Sequence, residues 1–532
     1  MVCFKSALVA SAAAGALAVP YTQPDTLDLN NTDSIKAVAG SLAHGAMSYY
    51  NGNVSSDAKM VGDLPEPYYW WQAGALWGAM LDYYHYTGDP SYNEVIAQAL
   101  TAKVNTGPNF DFMPPEHASE EGNDDLGFWG FAVMAAAERN FTQPNPDAPS
   151  WLRMGINIFD SLASRWNTTH CGGGLLWQIY ESNPNGLNYK NSVSNGGFFQ
   201  LAARLGRATG EQKYFDWANK VWDWSEKVGF IDADLKVYDG ADSRDECTKV
   251  NPLSFTYSTG IYLYGAAVMA NATGQSLWHD RAVKMLDTSK HFFGPFENST
   301  NIMYEPACET VGTCNTDMKT FKGYLSRFMY KSAQDLPELK PEVLKLMTPT
   351  TQAAANACTA NDTGVVCGQK WYVGGNDQSV GLGQMMSALE AVQGYAGDFA
   401  NSDLNEILVL NDNLHASADG SLGVNGDFDV LEENITSGKL NIDTRGSRPG
   451  ANGRATGNLK TTIDYEVKHQ IRLKGDGSLK AGFKGQASTG EAARKQKADS
   501  GKKCNDGHRL GLGAWNVAAV VAGSQVLFWG IL

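Results

Sequence analysis

Asp124 and Asp125 stand side by side in the run Glu120-Glu121-Gly122-Asn123-Asp124-Asp125-Leu126-Gly127-Phe128-Trp129-Gly130. Two carboxyl groups at one aromatic-rimmed spot suit cleavage of a glycosidic bond. One protonates the leaving oxygen while the other attacks or stabilises the oxocarbenium-like carbon. Repulsion between neighbouring carboxylates also separates their pKa values, so that one of them stays protonated near neutrality. A purely structural reading is open as well: one Asp caps the apolar helix that starts at Leu126, and the other is solvated.

Such a pair needs a scaffold to hold it, and the sequence repeats one. Thr87-Gly88-Asp89-Pro90-Ser91-Tyr92, Thr209-Gly210-Glu211-Gln212-Lys213-Tyr214 and Thr273-Gly274-Gln275-Ser276-Leu277-Trp278 are variants of one turn. Each follows an apolar helix rich in Gly, Ala and aromatics and opens an amphipathic one, with Gly supplying the left-handed helix cap. Gly88 to Gly210 is 122 residues and Gly210 to Gly274 is 64, close to two units and one unit of a common period. A hairpin must therefore lie between the first two, and residues 126–166 supply it. Extending the period from Ile35 to Tyr395 predicts an all-α fold of six helical hairpins, closed on itself as an (α/α)6 toroid with inner and outer rings. An open solenoid is the alternative. In a toroid, loops at one end of the inner helices surround a central cleft.

Polar and aromatic clusters fall at or just before the expected inner helices: Trp70, Trp71 and Gln72; Asn123 with Asp124 and Asp125; Lys190 with Asn191 and Asn195; Tyr257; and Asp377. Aromatic faces stack on the apolar C–H side of a sugar ring, while amides and hydroxyls bind its hydroxyl groups. Trp70, Trp71, Gln72, Asn123, Trp129, Lys190, Asn195, Tyr257 and Asp377 are accordingly the expected substrate-binding set. For the tryptophans, Trp177 included, ordinary core packing is the competing reading.

Tyr68-Tyr69-Trp70-Trp71-Gln72-Ala73-Gly74, Asp124-Asp125-Leu126-Gly127-Phe128-Trp129-Gly130, Tyr189-Lys190-Asn191 with Ser194-Asn195-Gly196, and Thr256-Tyr257-Ser258-Thr259-Gly260 together resemble the ordered motifs of glycoside hydrolase family 76. The resemblance spans roughly residues 33–400. It implies an endo-α-1,6-mannanase-like enzyme of the fungal, GPI-anchored kind, with Asp124 as nucleophile and Asp125 as general acid/base of a retaining reaction. It further implies transglycosylation from an α-linked mannose donor, of a GPI glycan or wall mannan, to a wall glycan acceptor. Retention needs the two carboxyl groups about 5–5.5 Å apart, which adjacent residues reach only if both side chains enter one cleft. No cofactor or metal is required, and the nine His residues form no ligand pattern.

Compartment and charge agree with this setting. Lys5 followed by the apolar run Ala7–Leu17 reads as a secretory signal, residues 1–18. Eight Asn-x-Ser/Thr sequons, at Asn30, Asn53, Asn140, Asn167, Asn271, Asn298, Asn361 and Asn434, fit a secretory route. Close spacing suggests Cys308–Cys314 and Cys358–Cys367 disulfides, leaving Cys171 for Cys247, although six cysteines permit fifteen pairings. Residues 19–436 are the expected catalytic domain and 437–500 a basic flexible stalk. Residues 501–532 read as a GPI-attachment signal, with polar residues before the apolar tail Leu510–Leu532; a membrane-spanning helix is the alternative. Between Ser437 and Arg509 there are 16 Lys and Arg against 7 Asp and Glu, and the rest of the chain has 26 against 50. So acidic a body excludes nucleic acid and polyanions as partners and suits neutral sugars, and a monomer is expected. A wall-bound mannan-binding or structural mannoprotein, and an (α/α)6 glycosidase or lyase of other sugar specificity, are the rival functions.

Overall fold

The computed structural model describes residues 21–183, 186–361 and 364–397, and beyond them short strand segments between residues 414 and 489. The helices, in chain order, are α1 (Thr32–Met47), α2 (Trp70–Thr87), α3 (Asn93–Thr101), α4 (Lys103–Thr106), α5 (Asn123–Glu138), α6 (Trp151–Ser164), α7 (Ser192–Thr209), α8 (Gln212–Lys227), α9 (Thr256–Thr273), α10 (Ser276–Thr288), α11 (Phe321–Asp335), α12 (Lys340–Asn356) and α13 (Leu382–Ala396). The repeated turn acts as expected: α2, α7 and α9 end at Gly88, Gly210 and Gly274, with φ of 77°, 69° and 65°. Only glycine takes that left-handed conformation at no steric cost.

Helices α2, α5, α7, α9, α11 and α13 pack each against the next, and α13 packs back against α2, so the ring closes. This is the expected (α/α)6 toroid, and α5 with α6 is the hairpin that the turn spacing required. Inner helices are buried on every side; α9 is buried without a break from Thr256 to Ala270. Outer helices bury one stripe, as α8 does with Tyr214, Ala218, Val221 and Trp222. Small residues let the inner ring tighten: a Cβ on Gly74 of α2 would stand 3.0 Å from the Trp129 ring of α5.

The inner-helix C-terminal ends are tied by buried ion pairs. Arg139, which follows α5, meets Asp82 of α2; Arg204 of α7 grips Glu138 of α5 through two nitrogens at 2.7 Å each; and Arg327 of α11 lies 2.7 Å from Glu390 of α13. Burial alone would raise the Glu138 carboxyl, but Arg204 and then Arg207 bring it down to about 2. Breaking such a pair strands a charge in the interior. Arg204→Met is therefore expected to cost about 3–5 kcal/mol of unfolding free energy, measured by denaturant unfolding.

Long outer-to-inner connections lie at the other end. Three of them carry disulfides, Cys171–Cys247 joining two of these connections and Cys308–Cys314 closing a loop within the third; the remaining bridge, Cys358–Cys367, joins two paired strands. A three-stranded antiparallel sheet, β1 (Tyr189–Asn191), β2 (Gly240–Asp242) and β3 (Val250–Asn251), braces this end. Beyond the toroid, Ile435–Ile442 pairs antiparallel with Thr461–Lys468, within the stretch expected to form a stalk. Among the described residues no helix is long and apolar enough to cross a membrane. The stretches expected to be a signal peptide and a GPI-attachment signal, residues 1–18 and 501–532, and Asn434 lie outside the described residues.

Candidate active site

The inner-helix starts converge on a cavity of about 530 Å3. Asp124 and Asp125 reach it from the first turn of α5. The Asp125 carboxylate accepts the Gly122 backbone N–H, which closes the helix start. Asp124 Oδ1 accepts the Asp125 N–H at 3.2 Å, and its Oδ2 accepts the Asn191 side-chain amide at 3.4 Å. Gly122 fixes the pair sterically: a Cβ there would overlap Asp124 Oδ1 and stand 2.8 Å from Asp125 Oδ2. Both carboxyl groups therefore turn to the same side, over one α-carbon, which is the condition that adjacency imposed.

Electrostatics separates their roles. Burial raises both carboxyls above the usual Asp range. For Asp124, hydrogen bonds from its own and the Asp125 backbone and from Asn191 oppose the rise. Asp125 is raised by burial first and then by the Asp124 charge beside it, against the Gly122 N–H bond that favours its ionised form. The arrangement thus holds an ionisable carboxylate next to a carboxylic acid that keeps its proton.

Period-two alternation along β1 sets the neighbouring wall: Tyr189 and Asn191 face the cavity, and Lys190 faces the other way. The Tyr189 hydroxyl donates to Asp239 Oδ2 at 2.7 Å. Opposite, the rings of Tyr257 and Phe321 stack with centroids 3.7 Å apart, and Trp71 packs 4.5 Å from Phe128. Trp71 Nε1 donates to Asp317 Oδ1 at 2.9 Å. Five acidic side chains, Glu120, Asp124, Asp125, Asp239 and Asp317, line the cavity, and among the described residues no Lys, Arg or His does.

Of the residues expected to bind substrate, Trp71 and Tyr257 line the cavity with the carboxyl pair, as does Trp177. The others serve the scaffold. Trp70 lies behind the wall, bonded to Asn105 and stacked on His117, and Trp129 is fully buried in the core. Gln72 Oε1 accepts the Tyr69 N–H and so caps α2. Asn123 accepts from Arg165 and donates to the Leu176 carbonyl, while Asn195 clamps both polar groups of Leu175. Lys190 Nζ donates to the carbonyls of Asn167, His170 and Gly173, pinning that loop. Asp377 accepts the backbone N–H groups of Gln369, Lys370 and Ser379. Asp239 and Asp317 are cavity residues that the sequence reading missed. Asp317 just precedes an inner helix, α11, and that position was its available signal; Asp239 lies in a strand connection with no motif.

A closed ring of six helical hairpins, with a carboxyl pair facing an aromatic-walled cleft at the inner-helix starts, is the architecture of a glycoside hydrolase. The chain belongs to glycosyl hydrolase family 76, whose model matches residues 34–404. It is 43% identical over 368 residues to mannan endo-1,6-alpha-mannosidase DCW1 of Candida glabrata, covering 69% of this chain and 80% of that one. To DCW1 of Saccharomyces cerevisiae it is 42% identical over 377 residues, covering 70% and 82%. Among solved structures, Dfg5 from Chaetomium thermophilum in complex with glucosamine superposes with a TM-score of 0.66 at 38% identity, covering 71% of this chain and 93% of that one. The GH76A alpha-1,6-mannanase of Salegentibacter sp. HEL1_6 shares the fold at a TM-score of 0.53 and 21% identity, covering 68% and 99%.

Proposed function

We propose that this chain is a retaining mannan endo-1,6-α-mannosidase working as a mannosyl transglycosidase in fungal cell-wall assembly. The observation that carries the reading is the carboxyl pair turned to one side over Gly122, both groups raised by burial so that one of them keeps its proton. Asp124, ionised, attacks the anomeric carbon of an α-1,6-linked mannose while Asp125 gives its proton to the departing O6. The glycosidic bond breaks and a β-linked mannosyl ester forms on Asp124. Asp125, now a base, takes the proton of an incoming hydroxyl, which attacks the same carbon, releases Asp124 and restores the α configuration. When that hydroxyl belongs to a wall glycan the product is a new glycosidic link; when it is water the product is a free sugar.

Five acidic side chains, all but the protonated one charged, and no facing cation among the described residues favour a donor carrying an amino sugar, protonated at neutral pH, as in a GPI glycan. The complex of the Chaetomium relative with glucosamine supports that choice. Residues 1–18 act as secretion signal, 19–436 as catalytic domain, 437–500 as stalk and 501–532 as GPI-attachment signal, placing a monomeric enzyme at the cell surface. The test is incubation of the purified protein with linear α-1,6-mannotetraose, with and without a glycan acceptor. Shorter mannosides, and acceptor-linked mannose when acceptor is present, are expected; binding without turnover would leave a lectin instead.

A further inference from the structure

The loop before α5 carries a third carboxylate that the two-carboxyl mechanism does not use. Glu120 lines the cavity with Asp124 and Asp125. His117 Nδ1 stands 2.6 Å from Glu120 Oε1, and His117 Nε2 lies 3.7 Å from Asp63 Oδ2. The His117 ring is stacked on Trp70 with centroids 5.2 Å apart, which fixes its plane. The Glu120 side chain is 39% exposed and that of His117 9%, so the carboxylate opens on the cleft while the ring behind it is closed off. With Nδ1–H donating to Oε1, the other Glu120 oxygen makes no hydrogen bond among the described residues. Nε2 likewise has no hydrogen-bond partner among them and has only the Asp63 carboxylate to face.

We propose that Glu120 is a substrate-contacting residue of this cleft, its free oxygen accepting a sugar hydroxyl, and that His117 and Asp63 are positioning residues that hold its carboxylate. The inference rests on the mannosidase reading of the cleft. A second effect follows from charge. Asp125 faces Asp124, Asp317 and Glu120, all of which favour its protonated form once burial has done so. Removing the Glu120 charge therefore makes Asp125 lose its proton at lower pH. The other charged groups nearby are Asp239, which lines the same cavity, Glu121, adjacent to Glu120 in sequence, and Arg165, which stands near Glu121.

The test compares Glu120→Gln, His117→Gln and the natural protein on α-1,6-mannotetraose across pH, with melting temperatures recorded alongside. Glu120→Gln keeps the shape and loses the charge. It is expected to lower kcat/KM by about tenfold or more, as loss of a hydrogen bond to a charged group does, chiefly through KM. Its alkaline limb should move to lower pH while the melting temperature stays put. His117→Gln should move both readouts in the same direction by less. A folded Glu120→Gln with natural kcat/KM and pH profile overturns the proposal, and a His117→Gln that only melts earlier overturns the positioning role. If the natural protein turns over no α-1,6-mannoside, the mannosidase reading has failed, and calorimetric titration with α-1,6-mannotriose decides this proposal separately. Binding about tenfold weaker in Glu120→Gln supports it; equal binding, or none by the natural protein, overturns it.

Discussion

Asp125→Asn is expected to lose roughly 10²–10⁴-fold in kcat on an unactivated α-1,6-mannoside, the range of a missing general acid, and yet to be more stable than the natural protein at pH 7. Activity falls because an amide has no proton to give to the departing O6. Stability rises because the fold buries a group that would rather ionise: Asp125 is 9% exposed, and its carboxyl is raised by burial and by Asp124. An acid whose folded pKa lies above its unfolded value contributes stability that is fully present below the unfolded pKa, near 4, and is lost as pH rises through the folded one. Asparagine does not titrate, so the two proteins should differ least near pH 4 and most at neutrality and above. A tenfold difference in proton affinity between folded and unfolded chain is worth about 1.4 kcal/mol, so a measurable gain at pH 7 that is absent near pH 4 is expected. Thermal melts at the two pH values read it directly. A variant that loses activity and also stability at pH 7 would mean that Asp125 is a structural anchor for the start of α5.

Gly122→Ala is expected to lower kcat by about 10²-fold while leaving the fold intact, although it changes no catalytic group. Gly122 has φ −112° and ψ 169°, ordinary extended backbone that alanine adopts without strain. The penalty falls mainly in the space above it, where a Cβ would overlap Asp124 Oδ1 and crowd Asp125 Oδ2, with the Trp177 carbonyl 3.0 Å away. Displacing reacting groups by about 1 Å costs on the order of 10² in rate. Melting should stay within a few degrees of the natural protein, and steady-state kinetics should show the loss in kcat. Natural kcat in Gly122→Ala would show that the carboxyl pair tolerates rearrangement and that its one-sided geometry is not what matters.

The ring was legible because Gly88, Gly210 and Gly274 mark helix ends that no other residue type serves as well, and because their spacing counted out the missing hairpin. The carboxyl pair was legible because two adjacent acids before an apolar helix are chemically conspicuous. Side-chain direction was not legible. Successive residues on an α-helix point about 100° apart, so Trp71 enters the cleft while Trp70 turns into the packing layer beside His117. On β1 the same ambiguity has period two, and Lys190 falls on the buried side between two residues that face the cavity. Nearness to an inner-helix start selects the right end of the toroid but not the right side of the chain. Asp317 escaped for a different reason. The α11–α12 turn runs through Leu336 and Pro337 without the Thr-Gly signature, so neither α11 nor the residues just before it stood out.

The division of labour between the two acids is tested most directly by trapping the intermediate. Asp125→Asn is mixed with a mannosyl donor whose leaving group needs no protonation, then digested and mapped by mass spectrometry. Without its acid/base residue the enzyme should still form the mannosyl ester but release it slowly, so a hexose mass is expected on the peptide at Asp124. Azide, which needs no general base, should discharge it as α-mannosyl azide. The same donor with Asp124→Asn should leave no adduct. A hexose on any other residue, or β-mannosyl azide as the product, would contradict the account.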